Sequence, residues 1–503
     1  MSRLKLACVA ALTFSGCALD EEPITDVDGT VVEHRSRDVL LQPGSSLIPL
    51  AVTDDDYVFY QDGASLYVSS LECGDERTLI ATIPNANTAF IFTSGKVAFI
   101  WTNPDYTSPS FGVSPLTIWT ARSGAREVSI ASPVGTLTTA SSRDGRRAVF
   151  PGNASAGGTI GDVVEVSTET WTTTILAAGV QTDYTNGPCR PLASYVGQGH
   201  SAYPAIAFCA GTDPTSTLRT FRPNHPFELT GLTNPPRLFV DPVDRRVLTT
   251  KVGASLRSGN PILVTEQGAQ VVEDVRSSFS FFNRDGSAIY LTIDQALNFS
   301  MRRTVFKPTG NRSTEVAPTL SAIFGGGFGS LGLSNPITSP DGRWLAYGAG
   351  FDPNTGGTDV TLADVRSATP RQVVVEPELV ATTVTPVEPF TEDSQFVIYG
   401  ISDPTTGTIQ VYGAPVAGGA RIPLGGPSAA VVAPARGSRV VIGDNPTIDP
   451  NNFFLSTADL KITDPRHGER LVATQANLTS LVSYDRKRLV YATDAGLRVR
   501  RID

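Results

Sequence analysis

One short pattern constrains this chain more than any other feature, and it returns along the whole length. Its fullest copy is residues 339–347, SPDGRWLAY. A tight Asp-Gly turn leads at once into a short apolar strand that ends in an aromatic. Asp-Gly suits a hairpin because glycine accepts positive φ and the Asp carboxylate bonds the local backbone. Asp341-Gly342 therefore reads as a structural turn, as do Asp144-Gly145 before Ala148, Val149 and Phe150, and Asp285-Gly286 before Ala288, Ile289 and Tyr290. Looser copies start at Thr391, with Asp393-Ser394, and at Ser483, with Asp485-Arg486. Weaker ones cover residues 54–60, 94–99, 205–208, 241–248 and 435–442.

Each copy is followed by another short strand, such as Leu66-Tyr67-Val68 or residues 409–412, and then by a second turn, such as Ser123-Gly124 or His467-Gly468. The unit is strand, Asp-Gly turn, strand, loop, strand, Gly turn, strand: a four-stranded antiparallel meander of about 40 to 55 residues. Such a sheet cannot bury both of its own faces. Units packed radially, face to face, bury them as the blades of a propeller. The expected fold is all-β. About ten units are readable, but propellers commonly hold four to eight blades. The expectation is therefore eight blades in one ring, within a range of seven to ten. Composition agrees: 46 Gly and 36 Pro in 503 residues favour turns over long helices.

On these residues the chain resembles the WD40-like repeat of TolB-like propeller proteins. That repeat also occurs in the propeller domains of some prolyl-oligopeptidase-type peptidases. The resemblance covers roughly residues 45–503. It implies partners in the cell envelope, such as lipoproteins or peptidoglycan-associated proteins.

The start of the chain reads as an export signal. Arg3 and Lys5 precede an apolar stretch, residues 6–14, too short to span a bilayer. Ser15-Gly16-Cys17 then resembles a bacterial lipobox, which implies cleavage after residue 16 and lipid on Cys17. Residues 17–37 are polar and acidic and read as a flexible tether. Residues 38–503 form the propeller. The expected location is exported and lipid-anchored, on the periplasmic or cell-surface side, with no contact to the membrane beyond the lipid. Cys73, Cys189 and Cys209 remain, so at most one intramolecular pair forms. Cys189 and Cys209 are the candidate disulfide. The alternative is three buried thiols.

The chain ends need closing. The last unit has residues 489–491 and 497–499 but no final strand, and residues 38–41 are placed to supply it. Pairing the two termini in one blade would remove an open edge.

No residue stands out as catalytic. There is no G-x-S-x-G elbow, and the glycine-rich run 325–329 lacks the Lys-Ser/Thr of a P-loop. Some propeller lyases of related repeat type hold a metal with several histidines. Here only His34, His200, His225 and His467 exist, and they read as loop residues. Two acidic groups, Asp352, Asn354 and Asp359, then Asp444, Asn445, Asp449 and Asn451, have oxygen ligands suited to calcium. They read better as solvated turns, so no metal site and no cofactor is assigned. A net charge of −9 without a long basic run argues against nucleic acid. The expected function is a non-catalytic envelope lipoprotein whose propeller binds a protein, peptide or glycan. The alternative is a polysaccharide- or peptide-acting enzyme with its site at the channel mouth.

Overall fold

A computed structural model describes residues 38–502. Outside the described set are 1–37, 45–46, 73–76, 84–88, 103–112, 134–138, 154–159, 182–191, 198–200, 211–215, 233–237, 242–244, 252–258, 297, 308–309, 321–336, 350–357, 368–371, 380–388, 403–404, 407, 428, 450–455 and 503. The signal segment, Cys17 and the tether all fall there. The described residues are all-β, in ten antiparallel sheets.

Blades are numbered here in chain order. Blade 1 shows the plan: Leu47–Val52, Tyr57–Asp62, Ser65–Ser70 and Arg77–Thr82 run from inside to outside as a meander. Blades 2 to 7 repeat it over residues 90–133, 140–181, 192–232, 239–271, 277–320 and 337–379. Blade 8 keeps three strands, Phe396–Ser402, Ile409–Pro415 and Ile422–Leu424. Its inner strand shrinks to one bridge, Phe390 to Val397. Blade 9 covers 430–477. Blade 10 holds Leu481–Val482, Arg488–Thr493 and Gly496–Arg501, and its outer strand is Asp38–Pro43 from the other end of the chain.

Side chains alternate across each strand, so both faces of every sheet are apolar. In Arg147–Gly152, Ala148 and Phe150 pack toward blade 2, while Val149 packs toward blade 4. The same division holds all round. Ten core clusters lie between blades 1 and 2, 2 and 3, and so on through 9 and 10, and finally 10 and 1. A series in which every sheet shares one cluster with each neighbour, and the last shares one with the first, is a closed ring of ten. All ten units read from the sequence become blades, so the central expectation of eight was too low. Units judged weak, such as residues 205–208, form full blades because packing on both neighbours completes them.

The last cluster depends on the terminal strand. Leu41 joins Val490, Leu497 and Val499 of blade 10 and Leu47, Val58 and Tyr60 of blade 1. The pairing runs from Asp38 opposite Arg500 to Pro43 opposite Gly496, as expected from the sequence. At Gly496 the φ is +136°, and a Cβ there would stand 2.1 Å from the Gln42 carbonyl oxygen. Gly496→Ala should therefore pry the closing strand away. We expect it to destabilise the ring by about 3 kcal/mol and to lower the melting temperature. A thermal melt unchanged from wild type would show that this pairing does not close the ring.

Candidate functional site

The recurring turn is a fixed hydrogen-bonded device. In blade 7 the Ser339 hydroxyl donates to Asp341 Oδ1 at 2.6 Å, and the same oxygen accepts from Arg343 N at 3.0 Å. Ser339 Oγ accepts from Trp344 N at 2.9 Å. Gly342 N donates to the Ser339 carbonyl, and Ser339 N to the Trp344 carbonyl, each at 2.8 Å. Ser142 with Asp144, Thr391 with Asp393, and Ser483 with Asp485 repeat this arrangement. In blade 6 Asp285 Oδ1 instead accepts from Ser287 N and its hydroxyl.

The residue after the Asp has positive φ in each copy, 72° at Gly342. A Cβ on Gly342 would lie 2.7 Å from Asn283 Oδ1 of blade 6, so glycine serves both the turn and the approach of the next blade. Ser394 (φ 59°) and Arg486 (φ 60°) hold the same position without glycine. The Ser394 hydroxyl earns its place by accepting from Asp341 N at 3.0 Å.

These turns form a belt around one end of the ring. Asp54 N donates to Gly95 O, Ser141 N to Ser94 Oγ, and Arg147 to Ala202 O, linking blades 1 to 4. Arg245 bonds Ser201, Arg246 bonds Gly286 O, and Asn283 Nδ2 bonds Gly342 O, linking blades 4 to 7. Asp341 N to Ser394, Asp393 N to Gly437 O, and Arg436 N to Arg486 O carry the belt to blade 10. Arg488 then pairs with Asp56 of blade 1 and completes it.

An antiparallel meander alternates its connections between two ends. The belt end holds the first and third connection of each blade. The other end holds the second connection and the crossing to the next blade. The strand ends that bracket the longest stretches between strands, 101 and 113, 181 and 192, 250 and 261, 320 and 337, and 379 and the bridge at 390, are at that second end. One end is thus joined by short, interlocked turns, and the strands at the other end are joined through the longer stretches of sequence.

Among the described residues three tyrosine–carboxylate–arginine networks brace the sheets, and no local sequence pattern marks them. Tyr195 OH donates to Glu165 at 2.7 Å, with Arg147 at 3.8 Å. Tyr290 OH donates to Glu273, which also accepts from Arg302 Nε at 3.0 Å. Tyr491 OH donates to Asp38 at 2.6 Å, with Arg498 at 3.6 Å. Burial, then the neighbouring carboxylate, raises each phenol above its ordinary pKa, so none is poised to lose its proton. Arg302 and Arg303 are therefore ion-paired, Arg303 with Asp285.

Asp444 corrects the picture of solvated acidic turns. It is 3% exposed on Val440–Thr447 and pairs with Lys461 at 2.7 Å. Burial raises its pKa, but hydrogen bonds from Lys461 and the Gly426 and Asn445 amides outweigh that and lower it overall. Asn445 bonds Asp459, and Asp449 N donates to Ser456. Asp359 lies on Thr358–Asp364. Asp352, Asn354 and Asn451 lie outside the described residues. Among the described residues no three His, Cys, Asp or Glu side chains gather as a metal cage, and no helix is long and apolar enough to cross a membrane. His225 and His467 are exposed on turns, while His34 and His200 fall outside the described residues. Cys209 is fully buried and disulfide-bonded. Cys73 and Cys189 lie outside the described residues.

Closed radial packing of ten antiparallel units, nine of four strands and one of three, makes the described residues a ten-bladed β-propeller. No protein-family model matches it, and no curated protein matches it significantly. Among solved structures it is similar to a eukaryotic initiation factor, at 12% identity and TM-score 0.47, covering 78% of this chain and 88% of that one. It is also similar to an oligogalacturonate lyase in complex with manganese, at 12% and 0.34, covering 76% and 96%. A third is prolyl oligopeptidase B from Galerina marginata, at 10% and 0.39, covering 90% of this chain but 55% of that one. These are likenesses of chain path, and the class rests on the closed ring itself.

The turn carboxylates set an acid limit on stability. Burial raises Asp144, Asp285, Asp341 and Asp485, but the hydroxyl and amide hydrogen bonds outweigh it and lower each pKa. A lowered pKa means stability that is full above the unfolded value near 4 and is lost as pH falls through the folded value. Denaturant melts from pH 6 to 2 should show that loss. Asp341→Asn combined with Asp485→Asn should flatten it and cost about 1–3 kcal/mol at neutral pH. An acid limb of unchanged slope would refute the assignment.

Proposed function

We propose that this chain is a non-catalytic, exported lipoprotein of the WD40-like, TolB-like kind, whose propeller binds a protein or glycan partner in the cell envelope. The observation that carries this reading is the unlike ends of the ring. The belt end is consumed in contacts between blades. The opposite end collects the long connections, and loops on a rigid scaffold are where binding surfaces are built. The phenols of Tyr195, Tyr290 and Tyr491 are bound to carboxylates, and buried Asp241, Asp364 and Asp444 are paired with Arg246, Arg343 and Lys461, which favours a scaffold.

Photo-crosslinking in the native envelope tests the choice of face. Probes placed in 102–112 and 321–336 should capture a discrete partner, and probes at Asn283 or Glu392 should not. Capture from the belt end alone, or from neither end, would overturn the proposal.

Export is supported by the disulfide at Cys209, because such bonds persist in oxidising compartments. Its partner is proposed to be Cys189. Gln181 N donates to the Cys209 carbonyl, and Leu192 pairs with Ala207, so both flanks of 182–191 meet the Cys209 strand. Non-reducing peptide mapping should find the 189–209 bridge. Cys17→Ser should move the protein from the membrane to the soluble fraction. A Cys17→Ser protein that still sediments with membranes would refute lipidation there.

A further inference from the structure

The outer part of the seam between blades 9 and 10 holds three arginines. Arg470 lies on Gly468–Asn477 opposite Ile462, and Arg500 lies on Gly496–Arg501 opposite Leu489. Ile462 and Leu489 share the core cluster between these blades, so their cross-strand neighbours face the same seam. Arg439 reaches it from just before Val440–Thr447, two strands further in on blade 9. Its Nη1 donates to the carbonyl of Ile502, which is buried in that cluster, at 2.8 Å. Arg500 Nη1 donates across the seam to Val472 O at 3.2 Å.

Both acceptors are neutral carbonyls. Arg500 Nε is buried without a hydrogen-bond partner. The carboxylates nearest in register are already taken: Asp38 by Tyr491 and Arg498, and Glu469 by Lys461. Among the described residues no carboxylate pairs with Arg439, Arg470 or Arg500. Burial, then Arg500 and Arg439, disfavours the charge on Arg470. A guanidinium does not relieve such repulsion by releasing a proton. In a chain of net charge −9 this cluster stands against the overall field.

We propose that this seam binds a small oxyanion of the phosphate or sulfate class. Guanidinium forks match its several acceptor oxygens, and a double charge offsets three close cations better than a single one. The bound anion would clamp blade 9 to the blade that holds both described ends of the chain. It therefore stabilises the folded ring by RT ln(1 + c/Kd) at free anion concentration c.

Thermal melts of the whole protein in chloride buffer test this, with phosphate, sulfate or acetate added at matched ionic strength. Phosphate and sulfate should raise the melting temperature in step with the logarithm of their concentration once it exceeds Kd, and acetate should not. The Arg470 side chain makes no hydrogen bond to the described residues, so Arg470→Gln should leave the melt in chloride unchanged or raised. The same change should weaken phosphate binding, raising about ten-fold the concentration needed for a given shift. Arg500→Lys, which keeps the charge but loses the Nε donor, should weaken it too. An equal phosphate effect in wild type and Arg470→Gln would overturn the proposal. So would an Arg470→Gln protein that melts lower in chloride, since that makes the arginine a structural strut.

Discussion

Apolar packing between successive sheets is the constraint on which the rest of this structure depends. A lone blade has two greasy faces and nothing to cover them. Every blade added covers one face and presents another, so the arrangement is satisfied only when the last blade meets the first. The final seam alone contains nine buried apolar side chains. At about 1.5–3 kcal/mol each, leaving it open would forfeit on the order of 10 kcal/mol or more. That is comparable to the net stability of a whole domain. Using the strand before blade 1 as the outer strand of blade 10 ties this closure to backbone hydrogen bonds as well as to packing.

Polar groups follow from that geometry. Radial packing brings the inner hairpin turns within hydrogen-bonding distance at one end, and in blades 1, 3, 7, 8 and 10 the turn has already satisfied its own donors through one Ser or Thr and one Asp. The leftover groups, a backbone amide here and a carbonyl or arginine there, bond the next turn. The contacts are chemically unlike from seam to seam, yet each joins the same two places. These positions need reach and polarity, not one residue type, and that explains why the sequence pattern decays while the belt stays complete.

The fold was legible because its signal is local. A hydroxyl, an Asp two residues on, a positive-φ residue and an apolar strand all lie within nine residues, and all ten units could be marked. The count was then lowered toward common ring sizes, although the weak units lacked only ornament. In blade 5 Asp241 stands where others have Ser or Thr, and Arg246 pairs with it, so the turn survives with different chemistry. Seam chemistry was not legible, because it joins residues far apart in sequence. The run Arg486-Lys487-Arg488 draws the eye, yet Arg488 is spent on Asp56. The arginines that gather are 439, 470 and 500, which look like isolated surface residues, two on strands and one just before a strand. Asp444 was misread for the same reason: its partner Lys461 comes from the neighbouring strand.

The closing strand also fixes where the chain enters the ring. Asp38 lies opposite Arg500, and Ile502 N donates to the Lys487 carbonyl in the inner turn of blade 10. Both described ends therefore emerge beside the belt, at the rim of one blade. The lipid anchor proposed at Cys17 would therefore hold the ring from the belt side and off its axis. The end opposite the belt would then face away from the point of attachment, the disc would tilt about a single edge, and its aim would be set by the position of blade 10.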